Sequence, residues 1–598
     1  MSDNKVVVAV DFGTTRTAYA TTQQGLAEDD IEVRVPAGAS NLCTYDSKTP
    51  SNVLIDMEGQ KAIAYGFTAH ERYWNKPDGD WLLFRWFKMK LHQSTTQDPM
   101  VKALNGRSLK LSVVLEKSLE YLKNDVVSTL NAQKGLGLSP EDIIWVVTVP
   151  AIWNDWAREM MRTAAFKAGM IQSQRSKNLK IALEPECACI SVQMEKMQGV
   201  LTEVGQKLMI LDCGGGTIDL TAHQVEATDP LGLKELMAPE GGPFGATKID
   251  ENFYKFFEDL IGPSRFQTLK QSRAYLALTR YWEDKKVSFH GNENEEDDEW
   301  LAALSIGDVV LSLNMCGEME GLVSMWNARN PHRKAEALSD SSLGLTFELM
   351  MSFFEGPIKN IVDKVNAVMA DPKNQAALKG LSFAVIAGGF GRSPVLQKRI
   401  RENFENSAVR VVVCRHPDLA IVKGAAAFGS RPNRFFESRV AKFTYGVGTS
   451  RVFDPTDSRH RQHEHCKYMG PDGKWRIDVF SVHGRAGDDI VVGSACGRQR
   501  YRPSLRDQDT ITFRILATEA QDVFLQEESG VRVLGSWTVE VDMLDDYDER
   551  WFQVEFSFGE TETVCRCFKE ARGGGEGPEV NVMDVEFPSD IHWTAPTM

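Results

Sequence analysis

A chain of 598 residues with 42% hydrophobic and 25% charged residues is too long for one hydrophobic core and too apolar to stay unfolded, so several folded units are expected. Its formal charge of −15 excludes a partner held mainly through nucleic-acid phosphates, which demand a basic surface. Ten cysteines without a C-x-x-C spacing exclude a disulfide framework and fit a reducing compartment, the cytoplasm or the nucleus.

In chain order, the first residues lead straight into an apolar strand with no signal-peptide pattern. The longest apolar runs, such as Ile143 to Val149, fall short of the roughly 18–20 residues a membrane span needs. Val6 to Val10 is the first of five short Val/Ile/Leu runs, followed by Ile143 to Val149, Leu208 to Leu211, Phe383 to Ala387 and Val409 to Val413. Runs without polar alternation predict strands buried on both faces. Helical patterns lie between them, among them Asp155 to Ala168 and Phe347 to Met369, so an α/β architecture follows.

Three of the strands end in turns suited to a nucleotide. After the first comes Asp11-Phe12-Gly13-Thr14-Thr15, where Gly13 opens backbone angles closed to other residues and the amides and hydroxyls of Thr14 and Thr15 can face a phosphate. After the third comes Asp212-Cys213-Gly214-Gly215-Gly216-Thr217-Ile218-Asp219. Its consecutive glycines let a triphosphate approach the backbone, while Asp212 and Asp219 supply carboxylates for a hydrated Mg²⁺ or a water. After the fourth comes Gly388-Gly389-Phe390-Gly391-Arg392, whose glycines admit a sugar or purine and whose guanidinium can lie on a base. Two acid-plus-glycine turns suggest two opposed lobes.

The remaining signals are structural. The acidic run 292–299 predicts a solvated loop or hairpin tip. From about Ala441 the apolar period becomes two, as in Trp537, Val539 and Val541 or Val554, Phe556 and Phe558, which predicts a separate antiparallel β domain. Gly573 to Pro578 is flexible by composition. Cys187 with Cys189 and Cys565 with Cys567 are expected to pack in cores. His460, His463, His465 and Cys466 lie in a loop-like stretch that offers no closed metal geometry.

The three turns, in this order, resemble the two phosphate motifs and the adenosine motif of actin-like ATPases, specifically of the seventy-kilodalton heat-shock (Hsp70-like) proteins. Val149-Pro150-Ala151-Ile152-Trp153-Asn154-Asp155 is similar to the family's V-P-A-x-x-N-D segment, and Leu183-Glu184-Pro185-Glu186-Cys187-Ala188 to its E-P-x-x-A segment. Gly241-Gly242 with Asp250, and His416-Pro417-Asp418 with Gly424-Ala425-Ala426, also fall in family order. The resemblance covers residues 5–435 and extends loosely into the β domain.

The resemblance implies a two-lobed actin-like (ribonuclease H-like) α/β ATPase fold followed by a β-rich domain without a long helical lid. Lobe I would span residues 1–190 with a small subdomain at about 41–110, and lobe II residues 191–435 with a small subdomain at about 246–312. The β domain would span 441–570 and a flexible tail 571–598. The implied cofactors are ATP or ADP with Mg²⁺. Asp11, Glu184, Asp212 and Asp219 would surround the cation and the attacking water, with Thr14, Thr15 and Thr217 on the phosphates and Asp212 or Glu184 orienting the water. Gly13, Gly214, Gly215, Gly216, Gly241, Gly242, Gly388, Gly389, Arg392 and Asp418 would line the nucleotide.

The chain also departs from the family. The lysine facing the γ-phosphate is expected at Lys88, with Lys90 and Arg85 as alternatives. On the adenine side Glu283 and Lys286 are present, but Val287 stands where the family has an arginine. Pro243 and Phe244 enlarge the Gly241 to Gly245 turn, and the interdomain leucine run is absent around Phe435 to Val447. The expected function is an ATP-binding, slowly hydrolysing, chaperone-like nucleotide switch with a protein or peptide client and co-chaperones. A nucleotide-binding scaffold without turnover and a small-molecule kinase of the sugar-kinase branch are the alternatives.

Overall fold

The computed structural model of the protein describes residues 5–25, 30–36, 47–75, 81–93, 98–135, 137–174, 176–197, 199–291, 301–405, 407–431, 435–491, 494–543, 545–558, 563–570 and 576–584. The acidic run 292–299 lies outside them.

The five apolar runs all become strands. β1 (Val6–Phe12), β2 (Arg16–Gln23), β3 (Glu32–Arg34), β4 (Ile143–Val149) and β5 (Leu179–Leu183) form one sheet in the order β5-β4-β1-β2-β3. β1 runs parallel to β4 and antiparallel to β2, and all seven residues of β1 and of β4 are buried. A second sheet repeats the order and the polarity as β10-β9-β6-β7-β8, from β6 (Lys207–Cys213), β7 (Ile218–Thr228), β8 (Leu231–Glu235), β9 (Leu381–Ala387) and β10 (Arg410–Val413). β11 (Phe436–Val440) then joins β8, and Asp489–Val491 pairs with β11, which ties the C-terminal region to the second sheet.

Helices cover both faces of each sheet, as a mostly buried parallel core requires. α1 (Leu111–Lys134) and α2 (Asp155–Lys167) pack on the outer face of the first sheet. In α1 the residues Leu111, Val114, Leu115, Leu119, Leu122 and Val126 form the buried helical stripe. Between the sheets lie α3 (Glu184–Met194), which follows the first sheet and packs on β6 of the second. α4 (Thr247–Ile261), α5 (Arg273–Ser288), α6 (Phe347–Ala370) and α7 (Pro394–Phe404) cover the outer face of the second sheet. α8 (Pro417–Ser430) follows the second sheet, yet packs on β1, β2 and β4 of the first. The two helices cross in contact: a Cβ on Gly424 would overlap the carbonyl of Cys187. One apolar cluster therefore runs through both sheets, with Cys187 and Cys189 buried in it.

Two three-stranded sheets stand outside this core. Val53–Asp56 pairs with Ala62–Tyr65 and Trp81–Phe84, within the small unit expected at about 41–110. Leu301–Ser305 pairs with Ser342–Thr346, which pairs with Ala335–Ser339. The second small unit thus continues past 312, where the sequence reading ended it, because a short amphipathic strand gives no sign of which later strand will close its sheet.

The C-terminal strands are β12 (Thr444–Val452), β13 (Trp475–Gly484), β14 (Ala495–Tyr501), β15 (Thr510–Thr518), β16 (Arg532–Glu540), β17 (Phe552–Phe558), β18 (Thr563–Glu570) and β19 (Glu576–Asp584). They form the sheets β13-β12-β15-β16 and β14-β17-β18-β19, with Tyr468–Met469 beside β13. Tyr445, Val447, Ile515 and Trp537 of the first sheet meet Tyr501, Val554, Phe556 and Cys565 of the second in one core. β19 corrects the expectation of a flexible tail from 571: residues 576–584 pair antiparallel with β18. Composition misled there because Pro578 sits in an edge strand at a shift in the register, between the pairs Phe568↔Glu579 and Glu570↔Glu576, where a proline is tolerated. Among the described residues no helix is long and apolar enough to cross a membrane.

Candidate nucleotide site

The repeated sheet order places the two acid-plus-glycine turns at equivalent hairpins, one joining β1 to β2 and the other β6 to β7. They touch across the gap between the sheets. A Cβ on Gly215 would overlap the Thr15 side chain, and one on Gly216 would overlap Met89 and crowd Thr14, at 2.7 Å from its Oγ1. The third turn closes on the second, since Gly388, at φ +82°, presses against Asp212 and the carbonyl of Cys213. Only glycine combines that left-handed backbone with so close an approach.

Four carboxylates and two ammonium groups converge at this junction. Asp11, at the end of β1, accepts a hydrogen bond from Thr148 Oγ1 at 3.2 Å and another from Lys48 Nζ. Glu184, the first residue of α3, accepts from Lys88 Nζ at 2.9 Å. Asp219 accepts from the Ile152 amide at 2.9 Å and from Thr217 Oγ1 at 3.1 Å. Asp212 faces Asp219 across the β6–β7 ladder, and its buried Oδ1 has no hydrogen-bond partner.

Burial dominates the titration of these groups. It drives Asp212 well above the carboxylate range, with Glu184, Asp219 and Asp11 adding to the rise and Lys48 opposing it. Burial, reinforced by Glu184, raises Asp219 to about 7 against its hydrogen bonds from Ile152 and Thr217. Glu184 is also raised by burial, with Lys88 as the main opposing charge. Four desolvated acids against two lysines are too many to ionise together, so the excess is held protonated, and the unpartnered Asp212 oxygen marks where a positive group is wanted.

This donor set fits a hydrated Mg²⁺ better than a dehydrated one. Among the described residues, no group of three His, Cys, Asp or Glu side chains is arranged to hold a metal ion directly. Asp11, Asp212 and Asp219 are oxygen donors spread across two turns, which suits a small hard cation that keeps its water shell.

Of the three candidate cations in 85–90, only Lys88 enters the site. It is 2% exposed, lies in the turn Phe87–Met89 and stands 4.9 Å from the centre of the Trp153 ring. Trp86 immediately before it adopts a left-handed φ of 52°, uncommon for so bulky a residue. Lys90 is exposed, and Arg85 lies over the Trp86 and Tyr275 rings.

The expected adenosine side is assembled but internally paired. Lys286 on α5 donates to Asp250 at 2.8 Å and bridges Glu283 at 2.6 Å, while the Trp282 indole also donates to Asp250, at 2.7 Å. Against the burial that would raise it, Lys286 and Arg16 hold Glu283 at about 2. Val287 is exposed. Arg392 pairs with Asp418 at the head of α8 at 3.4 Å, and Ser47 donates to the same carboxylate at 2.5 Å. Gly241 and Gly242 pair with Asp219 and Ile218 as a short strand along β7, which sets them beside the second turn. Within the histidine cluster, His460 Nδ1 accepts from the Asp454 amide at 2.9 Å and the His460 and His463 rings rest on Phe524, while His465 is exposed.

Sequence reasoning missed Lys48, Thr148 and the Ile152 amide. Thr148 lies inside an apolar strand and looks like filler, and a backbone amide carries no signature. Lys48 occurs in a polar stretch with no glycine and no periodicity, so nothing short of its burial could have drawn attention to it.

The profile of the family described as Hsp70 protein matches residues 84–296. The chain is 27% identical to human Heat shock 70 kDa protein 12B over 93% of its own length and 88% of the relative's. It is likewise 27% identical to human Heat shock 70 kDa protein 12A, with the same coverage. It is 25% identical to the Chaperone protein DnaK of Thermosipho africanus, over 58% of this chain and 53% of that one.

Proposed function

We propose, from the premise that this chain is a divergent member of the Hsp70-like family, that it binds ATP with Mg²⁺ between two lobes, hydrolyses it slowly and passes the change to its β domain. The lobes of this reading are residues 1–190 and 191–435, one for each copy of the repeated sheet order. The observation that carries it is the meeting of two glycine turns over four buried carboxylates with Lys88 paired to Glu184.

In this reading the amides of the two turns and the hydroxyls of Thr14, Thr15 and Thr217 receive the phosphates. Lys88 places a positive charge where the γ-phosphate develops negative charge, and Glu184 holds that ammonium in position. Asp11, Asp212 and Asp219 hold the cation through its water shell, and the cation, when bound, neutralises phosphate charge. Asp212 or Glu184 orients the attacking water. Positioning and charge neutralisation account for such a reaction without a covalent step.

Two short routes link this chemistry to the β domain. Arg439 in β11 pairs with Glu186 at 2.7 Å, two residues from Glu184. Lys442 donates to the Ile152 carbonyl at 3.5 Å, and the Ile152 amide holds Asp219. Trp156 of α2 also packs against the β-sandwich core. A change at either acid therefore reaches the β domain through a few rigid contacts, and the client of this reading is a protein or peptide bound there.

Calorimetry of the full chain with ATP and with ADP tests the binding, and absence of affinity for both sinks the reading. Single-turnover hydrolysis then separates a switch from a scaffold. Lys88→Ala is expected to slow it by about 10²–10³-fold, the usual cost of removing one charge-stabilising donor. A wild-type chain with no measurable rate is a nucleotide-binding scaffold.

A further inference from the structure

Lys48 has no place in the site implied by the family motifs, yet it is buried at the centre of the site. It immediately precedes Thr49–Pro50, which pairs with β2 through Arg16↔Pro50 and Thr17↔Thr49. Just beyond, the Ser51 amide donates to the Thr15 carbonyl at 2.9 Å and Ser51 Oγ to the Gly13 carbonyl at 2.6 Å. The hydroxyls of Thr17, Ser51 and Tyr65 complete a buried network beneath them, at 2.7 and 2.8 Å. The backbone that carries Lys48 and the first phosphate turn are therefore one rigid piece. On the other side, Ser47 reaches Asp418 at the head of α8.

The Lys48 side chain is 10% exposed and its Nζ donates to Asp11 Oδ2. A buried ammonium costs several kcal/mol in desolvation unless nearby acids offset it. Here Asp11 bonds it directly, and its charge acts on Glu184 and Asp212 as well. Lys88 cannot provide the same compensation for Asp11, because it is already committed to Glu184.

We propose that Lys48 is a second phosphate-facing lysine, a built-in counter-cation that pairs with Asp11 before nucleotide binds and turns to a phosphate oxygen afterwards. The proposal rests on the nucleotide reading above. A lysine ammonium is a compact charge with three donors on a flexible stem, so a small rotation exchanges or shares partners without moving the backbone. The turn releases Asp11 toward the hydrated cation, and it supplies one positive charge to the phosphates from the protein itself. Nucleotide affinity in this protein therefore depends less on Mg²⁺ than it would with Lys88 alone.

The test is ADP affinity of the full chain, by calorimetry, in excess Mg²⁺ and in EDTA. Wild type is expected to lose no more than about tenfold when Mg²⁺ is removed, whereas Lys48→Met loses about 100-fold or more, the range of a charge-assisted hydrogen bond. Lys48→Arg, which keeps the charge, stays near the wild-type ratio. Equal ratios for wild type and a folded Lys48→Met protein, checked by circular dichroism, overturn the role of Lys48 while leaving the nucleotide reading intact. Should Lys48→Met not fold, a wild-type ratio above about 100-fold overturns it alone. No ADP binding by wild type in either condition overturns both.

Discussion

The two halves of the site are built on the same hairpin and compensated in opposite ways. In the first turn, Asp11 is matched by Lys48 and Thr148, both buried. In the second, Asp212 has one buried oxygen without any partner and Asp219 has only neutral donors, an amide and a hydroxyl. One sheet order, used twice, thus supports a neutralised turn and an unneutralised one. Topology positions an acid at the end of the strand, and the side chains that later elements bring up decide whether its charge is comfortable. The second turn is where added positive charge gains most, which is the property a cation- and phosphate-binding half requires.

The contrast can be broken at its first half. Asp11→Asn leaves the Lys48 ammonium buried without its main partner and is expected to destabilise the protein by about 3–5 kcal/mol in urea unfolding. A loss within experimental error of zero would mean that the pair is not buried in solution.

A pH series sharpens the second half. Asp219 titrates at about 7 in the fold and near the ordinary 3.8 when unfolded. Between these values the folded chain holds a proton that the unfolded chain has released, so stability falls as pH rises from about 4 to 7. The fall from this group is on the order of 3 kcal/mol, and Asp219→Asn should flatten that part of the curve. An unchanged slope in the variant would assign the titration elsewhere.

The smallest effect has the opposite sign to the first. Asp212→Asn removes a buried acid with one unpartnered oxygen and is expected to stabilise the nucleotide-free protein by about 1–3 kcal/mol. The same substitution should weaken Mg²⁺-dependent nucleotide binding, so gain in stability and loss of affinity would move together. Destabilisation by Asp212→Asn would show that the second turn is as well compensated as the first.

Much of the fold was legible because it rests on local patterns. Val6 to Val10 and Ile143 to Val149 carry no polar alternation, and only strands covered on both faces suit such runs. Trp537 and Val539 alternate with exposed residues, which marks a half-solvated sheet. The turns were legible for a related reason: three glycines after a buried strand have few uses other than close approach. The edge strand β19 was not, because pairing with β18 outweighs the local preference of Gly577 and Pro578. Among the cations, Lys88 and Lys90 look alike in sequence, and the left-handed backbone of Trp86 that precedes the inward turn leaves no mark in composition.

The residues alone determined which strands would be buried, where the acids and glycines would stand along the chain, and that a nucleotide would suit them, since each follows from a short stretch and its own chemistry. Which charges meet was decided only by the tertiary structure. Lys48 finds Asp11, Lys88 finds Glu184 and one oxygen of Asp212 is left without a hydrogen-bond partner because the crossing of α3 and α8, and the strand Thr49–Pro50 laid beside β2, bring distant segments within a few ångströms. Charge compensation depends on distance and desolvation, and neither is written in the order of residues.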